Sequence, residues 1–537
     1  MIFSVGPGRI ALNDEGVIVG ASHRTRPDDD YLCDAARVSS WLDGKSMSWG
    51  EPDIQQDADE VQIDWRWQNR LRLSVRHAFT AGWGMRMALV NLTGEPQLLD
   101  AVDLSLRVAP SHVGWGLAAG YEAAFSVHPA DGASPVLGGL LQVGSIVGFG
   151  PAGAKLGVVE LPPHGRYVLS WQWDWYANPR AFGRGRHSSV PSSFFVITEQ
   201  PARITAGPDT AVVASGLNVL AEDGDTIELQ ASAPGVYTVE VRSATGVVGY
   251  SLSAADPPAV FLTGLATDLL AGPRTPAGVV RIEDAAAGLV VQHALSEGRL
   301  EQPEEAADAL ARLAGRITQT RNRDPLALAF LTGQAVAEGD AELLDTVVAG
   351  LLACSSAVPG LGLAALRLRA ASLVLGVSTR GAIDQLRTMI EGLDAAQGNR
   401  SAENRAPMVG RDLAELELAI IVGSAQFQAE AEPDVHALVS RLGLQLGAGL
   451  KGRPVVPVAL VELAQIAVVL DLVPEGLGVA FGRHWLCSPG ELGRRARTEV
   501  VNRCTHQRPV RRGVSSEMPD TIRQAAAWLA LGQSTAG

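Results

Sequence analysis

Apolar and polar positions alternate through the first half of this 537-residue chain and recur three and four apart through the second. "GMRMALVNL" (84–92) and "LLDAVDLSLRVAP" (98–110), joined by "TGEP", read as strands with one buried face each. "VVEL-PPHG-RYVLSWQWDW" (158–175) reads as a hairpin, because the Pro/Gly pairs can reverse the chain. This texture predicts a large antiparallel β-sandwich over residues 1–200. Three shorter strand-like runs around the turns "SAPG" and "SATG" predict a small immunoglobulin-like β module over 201–262.

Beyond 262 the period changes. Leu343/Leu344, Val347/Val348 and Leu351/Leu352 recur four apart, and Ile383, Leu386, Ile390 and Leu393 repeat the helical stripe. Asp324 with Pro325, and Ser488 with Pro489 and Glu491, are helix-start signals whose side chains can satisfy the first free amides. The prediction for 263–537 is an all-α domain of about twelve helices, with starts near 264, 279, 303, 324, 339, 360, 378, 411, 432, 456, 489 and 519. The helix-pair spacing suits either an α/α toroid or a HEAT-like solenoid. Residues 391–410 read as a polar loop.

Composition sharpens the division. Nine of eleven tryptophans, eight of eleven phenylalanines and all six tyrosines precede or lie at 262, so the aromatic core belongs to the β half. A net charge of −14 repels phosphate backbones and points away from nucleic acid as a partner. The densest apolar run, residues 455–473, is broken by Glu462 and Gln465, so no membrane span is expected. The amino-terminal residues carry no signal-peptide pattern and four cysteines make no disulfide framework, which together predict a cytoplasmic protein. Oligomeric state is left open by the sequence.

Four groups of residues are candidates for chemistry. Trp171, Trp173 and Trp175 share one face of a strand, with Asp174 and Arg180 nearby. The rings can stack on sugars, and a sandwich core would satisfy the same pattern. Arg66, Arg70, Arg72 and Arg76 make a row of guanidinium groups that could clamp carboxylate or phosphate, or could block edge pairing on a solvated sheet face. His484, Cys487, Cys504 and His506 have the residue types of a zinc site without a C-x₂-C pair. The arginine-rich run 493–512 can dock on an acidic partner or on the protein itself. Gly148, Gly150 and Gly153 spell G-x-G-x-x-G but lead into a strand, so no dinucleotide site or other cofactor is expected. Asp28, Asp29 and Asp30 lack calcium-loop spacing and read as a solvated turn.

A large sandwich followed by paired helices is similar in overall plan to glucoamylase-type glycoside hydrolases, which implies two carboxylates flanking a sugar bond. Glu391, Glu403, Asp412 and Glu415, in and beside the longest polar loop, are ordinary candidates for that role, and no catalytic residue is singled out. The reading is glycan recognition or processing. The alternative is a non-catalytic scaffold whose helical array and sandwich bind protein partners.

Overall fold

The computed structural model describes residues 1–184, 187–207, 209–221, 225–244, 246–272, 279–355, 358–382, 384–386, 388–389, 432–473, 484–507 and 518–534. Apart from the short helix Pro179–Gly183 and the two-residue strand Arg453–Pro454, the described strands end at Ala255 and helices take over at Pro258, so the plan is β then α. The helix expected near 411 and the acids Glu391, Glu403, Asp412 and Glu415 lie outside the described residues.

Two large antiparallel sheets face each other, one of eight strands and one of nine, with every strand in residues 1–176 except the ninth of the larger sheet, Arg453–Pro454. Alternation dictates which side chains meet. Strand Leu71–Phe79 buries Leu71, Leu73, Val75, His77 and Phe79 and exposes Arg72 and Arg76. The core between the sheets joins Ile10, Ile18, Leu99 and Leu104 of one to Val75, Met87, Leu169 and Trp173 of the other.

Two expected hairpins are instead crossings between the sheets. Gly153–Leu161 pairs in the eight-stranded sheet and Arg166–Tyr176 in the nine-stranded one. Trp83–Asn91 and Gln97–Val108 are likewise divided across "TGEP". Each strand already has partners on both sides, so the Pro/Gly segments arch over the core. Gly148–Gly150 and Gly153–Leu161 do form a hairpin, which places the G-x-G-x-x-G segment on strands.

Residues 195–255 build two smaller sheets. The first contains Phe195–Ile197, Gly246–Ala255, Gly235–Ser243 and Ala211–Ala214, and the second contains Ala202–Thr205, Thr226–Ala231 and Leu217–Ala221. Their apolar residues Leu229, Val239, Val241 and Leu252 share a core with Trp115 and Leu117 of the nine-stranded sheet.

The helical part holds ten helices of twelve or more residues among the described residues. Asp284, Asp324 and Asp340 cap their helices by accepting from Ala287, Leu326 and Leu343 amides. Pro303–Thr320 is amphipathic, whereas Ala285–Ser296, Pro325–Glu338 and Leu460–Asp471 bury nearly all of their circumference and so must be inner helices. The inner arc runs Leu361–Leu375, Pro325–Glu338, Ala285–Ser296, Asp520–Ser534, Leu460–Asp471, so the last helix packs on the first inner one.

The two parts are also stitched together. Arg453–Pro454, from the helical half, adds a short strand to the edge of His112–Ala119. Buried Asn502 donates to the Val196 and Thr498 carbonyls, tying helix Pro489–Gln507 to the small module.

Candidate functional site

The row of tryptophans faces inward. Trp171 and Trp173 are fully buried, and Trp173 stacks on Trp83 with centroids 5.0 Å apart and 18° between planes. Trp175 packs edge-on against Tyr31 at 4.9 Å and lies 5.1 Å from the His23 ring. The neighbouring strand makes room through glycine: a Cβ on Gly139 would stand 2.6 Å from the Trp173 ring. Asp174 is on the opposite face of the strand, and Arg180 is exposed on the short helix Pro179–Gly183. The five residues therefore do not form one sugar platform, because a strand that fills a core must turn its largest side chains into it. The indole N–H groups of Trp171 and Trp173 find no acceptor among the described residues, so this core tolerates donors that a fully satisfied one would pair.

The cysteine and histidine candidates do not converge. Among the described residues no three His, Cys, Asp or Glu side chains gather as a metal site. Cys487 and Cys504 are core residues, and burial pushes the Cys487 thiol up to about 12. His484 packs on Trp485 at 4.6 Å, and His506 is exposed near the end of its helix. Much of the arginine-rich run docks on the protein itself: Arg497 pairs with Asp471, Arg495 with Glu491, and Arg503 donates to the Val458 carbonyl.

Arg66, Arg72 and Arg76 share the exposed face of the nine-stranded sheet. Arg70 does not, since it sits in the tight turn, donates to Gln97 Oε1 at 2.9 Å and lies over the Trp67 ring.

Sequence reasoning missed a cavity in the helical half. The C-terminal parts of Ala285–Ser296, Pro325–Glu338 and Leu361–Leu375, with Pro303–Thr320 alongside, line a solvent-open cleft of about 1150 Å³. Its walls are largely apolar, with Leu310, Val336, Leu373 and Val374, and a few polar groups converge on it. Arg367 Nη2 donates to Gln292 Oε1 at 2.8 Å, Gln292 reaches Gln334 Oε1 at 3.4 Å, and Gln334 donates to Glu338. Gly333 permits the close approach, since a Cβ there would meet Gln292 Oε1 at 2.2 Å and Arg367 Nη2 at 2.3 Å.

Among the described residues Arg367 has no carboxylate partner. Its side chain keeps some accessible surface, while the protein around it depresses its pKa to about 10 by desolvation. Both hold for a partly covered cation lining an open cleft. His293, in the same wall, is buried with Nδ1 unpartnered among the described residues. Burial lowers its pKa, Arg299 and Arg367 add to the effect, and Glu297 and Gln533 oppose it. The balance of these effects favours the neutral form of the ring. The signal for this site was present in "LRLRAASLVL": Arg367 falls on a helix that buries most of its apolar residues, where a charge needs a partner or a purpose.

A second polar group sits at one end of the sandwich. Arg26 bridges Asp29 at 2.9 Å and Asp131 at 2.8 Å, Ser111 Oγ donates to Asp29 at 3.0 Å, and His112 Nδ1 lies 2.9 Å from Ser111 Oγ. Every link is local pairing between turns that close the sheets, which is a structural role.

A solved structure described as a polysaccharide lyase aligns over 98% of this chain and 100% of its own, with a TM-score of 0.71 and 10% sequence identity. At that identity the likeness is one of fold, shared across both the β and the α parts. No protein-family model matches the chain, and comparison with curated protein sequences gives no match.

Proposed function

We propose that the protein binds and processes a glycan, taking an acidic sugar unit into the helical cavity with its carboxylate on Arg367. One observation carries the reading: a guanidinium in a cavity wall whose partner is an amide and not an acid. A partly desolvated cation left in that state costs stability, and an incoming carboxylate would repay it through paired N–H donors.

The same wall supports elimination. A carboxylate neutralised by Arg367 makes the adjoining C–H more acidic, and neutral His293 can take that proton. The released electron pair forms a C=C bond to the next carbon, the C–O bond to the departing sugar breaks, and its oxygen takes a proton from water. The fold likeness to a polysaccharide lyase favours this chemistry over hydrolysis. Asp308 and Glu338 also line the cavity and are the carboxylates a hydrolytic reading would use.

The test is incubation with polygalacturonate and alginate while following the ultraviolet absorbance of the new C=C bond and the reducing ends. Both should rise together. Arg367→Ala should lower turnover by about a hundredfold or more, as loss of a charge-stabilising donor does, with folding stability unchanged or improved. Reducing ends without the absorbance would replace elimination by hydrolysis. A folded protein inert toward every acidic and neutral glycan tried would leave the scaffold reading in its place.

A further inference from the structure

The exposed face of the nine-stranded sheet carries more arginine than the run 66–76 alone. Cross-strand register aligns Arg66 with Arg72, Arg72 with Val90, and Val90 with Arg166. Four residues along, Gln62, Arg76, Arg86 and Ser170 form a second row. All five arginines are exposed. Arg76 is paired bidentately with Glu60. The side chains of Arg66, Arg72, Arg86 and Arg166 make no hydrogen bond or ion pair among the described residues.

Arg66 stands directly opposite Arg72, although like charges at such positions destabilise a sheet, while Arg86 faces Arg76, whose own charge is met by Glu60. Protection against edge pairing does not account for them, because strands Glu60–Trp67, Leu71–Phe79, Trp83–Asn91 and Arg166–Tyr176 are interior to the sheet. The row between the arginines holds Asp64, Ser74, Ala88 and Val168, mostly small, so the surface is flat. The rows lie about 13–14 Å apart along the strands, and Arg66 and Arg166 about 14 Å apart across them.

We infer that this face is a binding surface for an acidic polysaccharide chain, separate from the helical cavity. Flatness suits an extended polymer, and planar guanidinium groups suit carboxylates. The alternating rows have no exposed aromatic ring on which a nucleic-acid base could stack, and the net charge of −14 opposes the denser charge of nucleic acid or an anionic bilayer.

The experiment measures binding of polygalacturonate by affinity electrophoresis at low and moderate salt, for wild type and for Arg66→Gln/Arg72→Gln/Arg86→Gln/Arg166→Gln. The quadruple variant should bind at least tenfold more weakly, with a flatter salt dependence, and dextran should not bind either form at this face. Arg86→Ser alone, which removes one exposed charge, should give an intermediate loss if the quadruple variant folds poorly. Arg367→Ala should keep surface binding, and the quadruple variant should keep turnover of short oligosaccharides, which separates failure here from failure of the cavity reading. Unchanged polygalacturonate binding in the quadruple variant overturns the inference. So does tighter binding of duplex DNA than of polygalacturonate at matched salt.

Discussion

Trp173→Ala separates a core ring from a ligand platform by magnitude. The side chain is fully buried, stacked on Trp83, and flanked by Phe125 at 6.1 Å and Trp171 at 5.9 Å. Burial of roughly 150–250 Å² at about 25 cal/mol per Å² corresponds to ~4–6 kcal/mol. Against that, truncation also removes an indole N–H that has no acceptor, recovering about 1 kcal/mol. The net expectation is a loss of ~3–5 kcal/mol, in line with large aromatic-to-alanine changes in cores. Trp173→Phe keeps a ring against Trp83 and drops the unpaired donor, so it should cost under about 1.5 kcal/mol. Urea unfolding followed by circular dichroism measures both, with an unchanged m-value showing that the same cooperative unit is being compared. A loss below ~1 kcal/mol for Trp173→Ala, accompanied by lost sugar binding, would refute the core assignment.

Two further outcomes follow from buried histidines of the β half and from the helical cleft. His77 and His128 are buried with pKa values lowered to about 3, and His112 to about 4, in each case chiefly by desolvation. A histidine with a depressed folded pKa gives its full stability above the unfolded value near 6.5 and loses it as pH falls toward the folded value. By pH 5 each unfolded-state ring gains about 2 kcal/mol from protonation that the folded ring forgoes, so the three together should lower stability by ~6 kcal/mol relative to pH 8. Urea midpoints across that range check this, and a flat profile would contradict it. Gly333→Ala places a Cβ against Gln292 and the tip of Arg367, both flexible, while gaining about 1 kcal/mol of helix propensity. Thermal stability should therefore stay within about 1 kcal/mol while glycan turnover falls at least tenfold. Loss of stability with turnover intact would show that the contact serves packing only.

The change from strands to helices was legible because it rests on residue period, which local chemistry sets. Leu71–Phe79 and Pro303–Thr320 could be assigned from their own side chains. What escaped was pairing. "PPHG" and "TGEP" reverse direction in either case, and nothing local says whether the next strand joins the same sheet or the opposite one. Burial was ambiguous in the same way, since Trp171 and Trp173 on one face suit a core best and can also suit a ligand platform. Arg86 and Arg166 were readable as exposed positions on their own strands, but only register sets them beside Arg72 and Arg66. The cavity was hardest: Gln292, Gln334 and Arg367 are brought together from three helices, and the one local hint was a cation among leucines.

The two-residue strand Arg453–Pro454 has a consequence for how the molecule is made. Its partner, His112–Ala119, is an apolar edge whose backbone amides and carbonyls would otherwise face solvent. During synthesis that edge leaves the ribosome more than three hundred residues before its cover, so the nascent chain passes through a long interval with an adhesive border. A fragment ending near residue 257 would be fixed in that interval permanently. Such a piece is expected to self-associate on purification, and supplying the missing carboxy-terminal part in trans should restore its solubility.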